Sequence, residues 1–266
     1  MRAAAILAAT LLSASPVRAA PCAAADHVTR VDGEQECLII KTCGKRDGAA
    51  RPTLFVLLHG NHTSGSPATS QYQVAEALAA GGGPGTISVA LIRPGYDDDA
   101  GNHSSGNAAG RGDNFTAANI DIVADAIARL KRHHQAGRVV LLGHSGGAAM
   151  AAVMLGRHPG LADAAVVVAC PCDVPAWRAA AGRTRIAWVS ESAIRTVDRI
   201  PLRTRVAVLV GSRDTVTAPS LSREYAAALA GRGIHAELSV IEGADHTTII
   251  TATEVVQAAL SLGRGD

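Results

Sequence analysis

A serine lies at the apex of a strand–turn–helix pattern near the middle of the chain. The apolar run 139–142 leads into the turn Gly143-His144-Ser145-Gly146-Gly147, and the small-residue run 148–152 follows it. Because the first and last glycines of the turn have no Cβ, strand and helix can approach closely and the backbone can accept strain at Ser145. The helix N-terminus directs its N–H groups and its positive dipole end to the same place. The pattern therefore makes Ser145 a candidate nucleophile.

Apolar runs without polar alternation recur along the chain and are bounded by glycine and proline. Such runs are typical of strands that are covered on both faces of a parallel sheet. Helical patterns lie between them, which predicts an α/β fold with right-handed crossovers and helices on both faces of the sheet. The predicted strands are 53–58, 87–92, 139–142, 164–169, 206–210 and 236–241. The predicted helices are 71–80, 117–134, 147–157, 219–230 and 247–262.

The length of 266 residues and the 48% apolar content predict a single domain over residues 21–266. Two segments interrupt the alternation of strands and helices. Residues 95–114 are rich in Gly, Asn, Asp and Ser and predict an ordered surface loop. Residues 171–202 contain Trp177, Trp188 and several arginines. We interpret this second segment as a small cap insertion over the site.

The first residues have the pattern of a secretory signal peptide. Met1-Arg2 is a short basic start, residues 3–12 are apolar, and Val17-Arg18-Ala19 offers acceptable residues for cleavage. The apolar part is much shorter than the roughly 20 residues that span a bilayer. We therefore predict that residues 1–20 are removed and that the protein is exported, either to the periplasm or to the medium.

Composition excludes several classes of function. The formal net charge of +2 and the scattered arginines do not favour a nucleic-acid partner, and no later segment is apolar enough for stable membrane insertion. The neighbouring histidines His59 and His62, like His133 and His134, do not form a zinc pattern such as H-E-x-x-H. No glycine-rich dinucleotide motif follows the first strands. The sequence therefore predicts neither a metal nor a cofactor.

The chain contains five cysteines, Cys22, Cys37, Cys43, Cys170 and Cys172. Cys37 and Cys43 flank a predicted strand, and an extended segment of this length separates them by about 20 Å at roughly 3.3 Å per residue. A disulfide requires Cα atoms within roughly 7 Å. The open pairings are therefore Cys22 with Cys37 or Cys43, and Cys170 with Cys172. The odd number leaves at least one thiol free or intermolecular.

A serine nucleophile needs a histidine base and an acid that orients the base. Asp214 follows the predicted strand 206–210 directly, and His246 follows the last predicted strand. Both residues would emerge at the sheet edge that carries Ser145, which is the edge where α/β sheets bind their ligands. Asp173, which follows the strand 164–169, stays open as an alternative acid.

With these residues in this order the chain resembles the α/β-hydrolase family over roughly residues 53–262. The resemblance implies that Ser145 is the nucleophile, that His246 is the general base and acid, and that Asp214 is the orienting carboxylate. It also implies an oxyanion hole made by the backbone N–H groups of Gly146 and Asn61. One such donor is typically worth roughly 3 kcal/mol of transition-state stabilisation.

These inferences predict an exported serine hydrolase that cleaves a small-molecule carboxylic ester through an acyl-enzyme. A serine peptidase with the same residues is one alternative, and a non-catalytic binding protein that kept the fold is another. A lipase would need an apolar lid, which the arginine-rich segment 171–202 does not favour. Substrate identity and oligomeric state stay open.

Overall fold

A computed structural model describes residues 22–46, 48, 51–108, 112–185 and 187–265. The predicted signal peptide, residues 1–20, lies outside the described residues. The strands are β1 (Arg30–Gly33), β2 (Glu36–Gly44), β3 (Thr53–Leu58), β4 (Thr86–Leu91), β5 (Arg138–His144), β6 (Ala164–Val168), β7 (Arg205–Gly211) and β8 (His235–Ile241). The helices are α1 (Tyr72–Gly81), α2 (Ala117–His134), α3 (Gly146–Arg157), α4 (Val174–Ala180), α5 (Pro219–Gly231) and α6 (Thr253–Arg264).

The strands form one eight-stranded sheet in the order β1-β2-β4-β3-β5-β6-β7-β8. Strand β2 runs antiparallel to both β1 and β4, and every other neighbouring pair is parallel. The prediction of a mostly parallel sheet in an α/β fold is thus confirmed. The antiparallel hairpin of β1 and β2 extends the sheet at one edge.

Helices cover both faces of the sheet. In β3 the side chains of Leu54, Val56 and Leu58 join the core that contains α2, α3 and α5. Phe55 and Leu57 join the opposite core, which contains α1 and α6. Because successive side chains of a strand point to opposite faces, burial on both faces explains why the strand sequences are continuously apolar.

The carboxyl ends of the parallel strands meet at one edge. In the strand register Leu58 lies opposite Gly143, and Gly211 lies opposite Ile241. The loops that follow β3, β5, β7 and β8 therefore all leave the sheet on the same side. These loops carry the residues that the sequence selects as candidates.

One predicted helix differs in the structure. The segment 247–262 contains a 3-10 turn, Thr248–Thr251, and then helix α6, with Ala252 extended between them. The Asp245 carboxylate accepts hydrogen bonds from the N–H groups of Thr247 and Thr248, which closes a separate turn. The sequence predicts one continuous helix here because Ile249 and Ile250 are apolar and buried, as are the residues on the apolar face of α6.

Two disulfides connect cysteines of the described chain. Cys22 pairs with Cys37 and Cys170 pairs with Cys172, with Cα atoms 4.7 Å and 5.0 Å apart. Cys43 is unpaired and half-buried. The first bond ties residue 22 to β2, and the second closes a tight turn directly after β6. Among the described residues, no helix combines the length and apolar character of a membrane span.

The predicted cap segment 171–202 has two parts in the structure. Helix α4 begins at Val174, and the Asp173 side chain caps it. The later part forms a 3-10 helix, Ala193–Arg199, that packs against α3. The contact is close, because a Cβ at Gly156 would lie 2.2 Å from the carbonyl oxygen of Thr196.

Candidate active site

Ser145 occupies a strained turn between β5 and α3. Its backbone has φ 53° and ψ −120°, a region that L-residues rarely adopt. Its N–H donates to the Val168 carbonyl at 2.9 Å, and its own carbonyl accepts from the Ala149 N–H at 3.0 Å. Such strain costs about 1–3 kcal/mol and concentrates at functional sites. The turn is therefore held from both sides with the Ser145 side chain at its apex.

The flanking glycines are required by close backbone approach. A Cβ at Gly143 would lie 2.3 Å from the carbonyl oxygen of Gly147. A Cβ at Gly147 would lie 2.3 Å from the carbonyl oxygen of Leu58 and 2.4 Å from that of His59. These neighbours are main-chain atoms that cannot rotate away. Helix α3 can begin this close to β3 and β5 only because both positions lack a side chain.

The structure brings Ser145, His246 and Asp214 into hydrogen-bond contact. His246 Nε2 lies 3.0 Å from Ser145 Oγ, and His246 Nδ1 lies 2.9 Å from Asp214 Oδ2. Because a carboxylate only accepts, Nδ1 carries the proton of the neutral ring, and this N–H donates a hydrogen bond to Asp214. The lone pair of Nε2 then faces the Ser145 hydroxyl, which is the arrangement of a nucleophile, a base and an orienting acid.

Asp214 is buried, with 3% of its surface exposed. Its Oδ1 accepts from the N–H groups of Val216 and Thr217 at 2.9 and 2.8 Å, and its Oδ2 accepts from the Thr217 hydroxyl at 2.8 Å. Burial alone would raise the pKa of Asp214. The hydrogen bonds from His246 and Thr217 outweigh burial, so the pKa lies below its ordinary value and the carboxylate is ionised.

Thr217 is a residue of the site that sequence analysis missed. Its hydroxyl lies 2.8 Å from Asp214 Oδ2 and 3.1 Å from His246 Nδ1, and the side chain is buried. The available signal was a hydroxyl residue three positions after a candidate acid, where Asp side chains often close a local turn.

Two other carboxylates near the candidate site, the alternative acid Asp173 and Asp245 beside His246, have other partners. Asp173 accepts from the Ala176 N–H at 3.1 Å and so caps α4. Asp245 holds its own turn through Thr248 and Thr247. Among the described carboxylates, only Asp214 is within hydrogen-bond distance of the His246 ring.

The predicted oxyanion residues lie side by side. A Cβ at Gly60 would lie 3.2 Å from Ser145 Cβ, and a Cβ at Gly146 would lie 2.3 Å from Asn61 Oδ1. Gly146 is the first residue of α3, so its N–H has no partner within the helix. The Asn61 N–H donates to none of the described residues. Within the described part of the chain, both N–H groups thus lack a hydrogen-bond acceptor, and they lie beside the Ser145 turn.

Two histidines near the turn are buried and neutral. His144 Nε2 donates to the His246 carbonyl at 2.7 Å, and burial, with a smaller electrostatic effect of the nearby His246 ring, lowers its pKa to about 4. His59 Nδ1 donates to the Gly60 carbonyl at 2.7 Å, and burial lowers its pKa well below the ordinary value. His144 therefore anchors the loop that carries the candidate base.

The cap segment touches the turn that carries Asp214. Trp177 Nε1 donates to the carbonyl of Val216 at 2.8 Å, two residues after the acid. The rings of Trp177 and Trp188 meet edge to face with centroids 5.5 Å apart. Val216 itself is 50% exposed. An aromatic and aliphatic rim therefore begins next to the acid.

The segment 171–202 is also connected to the loop that carries Asn61. The N–H groups of Val189 and Ser190 donate to the Asp113 carboxylate, both at 2.8 Å. The preceding residue, Gly112, accepts from Asn61 Nδ2 at 3.0 Å through its carbonyl oxygen. The cap is thereby connected to both sides of the candidate site.

Comparison with known proteins agrees with this architecture. A family model described as the alpha/beta hydrolase fold matches residues 53–189, about half of the chain. No curated protein matches the sequence.

Solved structures with the same fold cover most of the chain. Est1E from Butyrivibrio proteoclasticus with bound ferulic acid has a TM-score of 0.67 at 14% identity, covering 89% of this chain and 98% of its own. The Pyrococcus furiosus esterase Pf2001 has a TM-score of 0.66 at 17% identity, with coverage of 88% and 89%. A predicted CIB-like hydrolase from Thermoplasma acidophilum has a TM-score of 0.61 at 20% identity, with coverage of 89% and 97%. Together with the matching family model, the sheet order and the strained serine turn show that the chain belongs to the α/β-hydrolase family.

Proposed function

We propose that this protein is an exported serine hydrolase that cleaves carboxylic esters. The observation that carries the proposal is the hydrogen-bonded series from Asp214 through His246 to Ser145, with distances of 2.9 and 3.0 Å. The series stands beside the N–H groups of Gly146 and Asn61, which donate to no acceptor among the residues that the structure describes. A hydroxyl, a base, an oriented acid and two free donors are the parts that acyl transfer needs.

In the proposed reaction Ser145 Oγ attacks the ester carbonyl while His246 Nε2 takes the hydroxyl proton. The carbonyl oxygen becomes an oxyanion and accepts from the N–H groups of Gly146 and Asn61. Asp214 stabilises the imidazolium and holds its orientation. His246 then gives the proton to the leaving alcohol, which departs as the acyl-enzyme forms. A water molecule, deprotonated by His246, attacks the acyl group and releases the acid and Ser145.

Two observations support ester cleavage and export. Two of the similar solved structures are Est1E with bound ferulic acid and an esterase of Pyrococcus furiosus. The disulfides Cys22–Cys37 and Cys170–Cys172 suit an oxidising compartment outside the cytosol. We expect mass spectrometry of the exported protein to show a chain that lacks residues 1–20.

The test is a panel of nitrophenyl esters with acyl chains of increasing length, run beside a panel of fluorogenic peptides. We expect ester hydrolysis by the wild type and its loss in Ser145→Ala, by a factor of about 10⁴ or more because one member of a cooperating triad is removed. A fluorophosphonate should label the wild type but not this variant. Absence of both ester hydrolysis and labelling would refute the proposal, and peptide cleavage alone would replace it with the peptidase alternative.

A further inference from the structure

Arg93 is a buried cation with no carboxylate partner. It follows β4 and is 1% exposed. Among the described residues no Asp or Glu forms an ion pair with it, although other arginines such as Arg129 and Arg157 do have such partners. Burial lowers the pKa of Arg93. The guanidinium nevertheless stays charged at neutral pH, because its ordinary value is above about 12.

The side-chain contacts of Arg93 are with neutral groups, and the two shortest are with the loop that follows β3. Nη2 donates to the Gly60 carbonyl at 2.9 Å and to Asn61 Oδ1 at 2.7 Å. Nη1 lies 3.4 Å from Asn114 Oδ1 and 3.3 Å from Met150 Sδ. Nε has no hydrogen-bond partner among the residues with described positions. One nitrogen of the guanidinium thus joins the main chain of residue 60 to the side chain of residue 61.

The guanidinium also lies close to Gly146, the first residue of α3. A Cβ built at Gly146 would be 3.3 Å from Arg93 Nη1 and 2.3 Å from Asn61 Oδ1. The charge therefore adjoins both residues whose N–H groups form the proposed oxyanion hole. His59 holds the main chain of Arg93, because its Nε2 accepts from the main-chain N–H of Arg93 at 2.9 Å.

An uncompensated buried cation is costly, by several kcal/mol in an apolar interior. Neutral carbonyl and amide oxygens offset part of this cost. In the proposed reaction the substrate carbonyl oxygen becomes negatively charged while it accepts from the N–H groups of Asn61 and Gly146. This oxyanion is the negative charge that develops nearest to Arg93. A positive charge that is already desolvated and fixed stabilises such a charge without reorganisation.

We propose that Arg93 is a positioning residue for ester hydrolysis. It fixes the Gly60–Asn61 loop so that the Asn61 N–H is directed at the oxyanion, and its unpaired charge favours the oxyanion over the neutral ester. The inference rests on the proposed function and adds a residue outside the Ser145, His246 and Asp214 series. Lysine cannot replace it, because an ammonium has one nitrogen, whereas the guanidinium places Nη2 against Gly60 and Asn61 and Nη1 against Asn114 at the same time.

The experiment compares Arg93→Lys with the wild type on one nitrophenyl ester. Active sites are counted by fluorophosphonate titration, so unfolded protein does not contribute to kcat. We expect kcat to fall about 10- to 100-fold while KM changes less than about 3-fold, because the lost interaction acts on the transition state. Arg129→Lys, which alters a partly buried ion pair with Asp125 on α2, is the matched control and should keep wild-type kcat.

A double-mutant cycle tests the route through Asn61. Asn61→Ala removes the acceptor of the guanidinium but keeps the backbone N–H, and we expect kcat to fall about 10-fold. The combined variant Arg93→Lys/Asn61→Ala should lose less than the product of the two single effects, since both remove the same contact. If Arg93→Lys does not fold, Asn61→Ala alone decides by its kcat.

The outcomes separate this inference from the proposed function. If the Arg93→Lys and Asn61→Ala variants have the wild-type kcat per titrated active site, the proposed role of Arg93 is wrong. The proposal of ester hydrolysis would not be affected by that result. A rise in KM of about 10- to 100-fold with an unchanged kcat would also overturn the proposed role, because that result indicates that Arg93 contributes to binding of the ground state only. A wild type that neither hydrolyses esters nor reacts with the fluorophosphonate would refute the proposed function and this inference together.

Discussion

At the scale of single residues, the backbone of Ser145 works against stability. Its positive φ places Cβ in a crowded region, and the hydrogen bond to Val168 holds it there. Glycine has no Cβ and accepts this conformation without strain. The backbone conformation at the apex of the turn therefore favours glycine over the serine that occupies position 145.

This conflict gives a prediction about stability. Ser145→Gly should be more stable than Ser145→Ala by about 1 kcal/mol, because alanine keeps the Cβ strain and glycine relieves it. Chemical unfolding of the two inactive variants measures the difference. Equal stability of the two would show that the turn is not strained.

Thr217 gives a second prediction at this scale. Its hydroxyl contacts both Asp214 and His246, and its N–H holds Asp214 separately. Thr217→Val keeps the shape and the N–H but removes the hydroxyl, so the pKa of Asp214 should rise. We expect kcat to fall roughly 3- to 10-fold, as for the loss of one hydrogen bond worth about 1 kcal/mol. Thr217→Ser, which retains the hydroxyl, should stay near the wild type in the same ester assay.

At the scale of elements, the site depends on how closely α3 approaches β3. The first turn of α3 packs on the main chain of residues 58 and 59 without intervening side chains. Rigid strands thus fix the position of the Ser145 turn. The same sheet edge carries the loops of Asn61, Asp214 and His246.

Adding one methyl group at this junction should therefore be damaging. In Gly147→Ala the new Cβ would meet two carbonyl oxygens at 2.3 and 2.4 Å, so α3 must shift. We expect a loss of about 1–3 kcal/mol or more, which lowers Tm by roughly 3–10 °C. Gly231→Ala at the end of α5, where no atom lies within 4 Å of the added Cβ, is the control and should not lower Tm. A wild-type Tm for Gly147→Ala would contradict the close approach.

At the scale of the whole molecule, the pKa values of two buried histidines and of the half-buried His134 lie below their ordinary range. Burial lowers the pKa of His144 and of His134 from 6.5 to about 4, and that of His59 well below 6.5. Between these values the unfolded chain binds protons that the folded chain does not. The free energy of unfolding must therefore fall as pH drops below about 6.5.

The resulting prediction concerns acid stability. Urea unfolding at pH 7.5, 6.0 and 5.0 should show full stability at the highest pH and a loss of up to about 1.4 kcal/mol per pH unit for each such histidine below pH 6.5. His144→Gln, whose amide can still donate to the His246 carbonyl, should have a shallower slope. Stability that is constant from pH 6.5 to 4.5 would exclude neutral buried histidines.

The sequence by itself determined the class of fold and the local setting of Ser145. Continuous apolar runs and paired glycines are local signals, because burial on two faces and close backbone approach each restrict residue type at that position. The resemblance to the α/β-hydrolase family, which the family model confirms, rested on Ser145, Asp214 and His246 in that order. Their catalytic roles stay a prediction.

Only the tertiary structure decided which distant groups meet. Sequence left Asp173 open beside Asp214, and strand order and register direct Asp214 to His246 while Asp173 caps a helix. The roles of Thr217 and Arg93 were hidden for the same reason, and so was the choice of Cys37 as the partner of Cys22. Periodicity along a chain records how much of each residue is buried. The identity of its neighbour depends on contacts between segments far apart in sequence, which a single sequence does not encode locally.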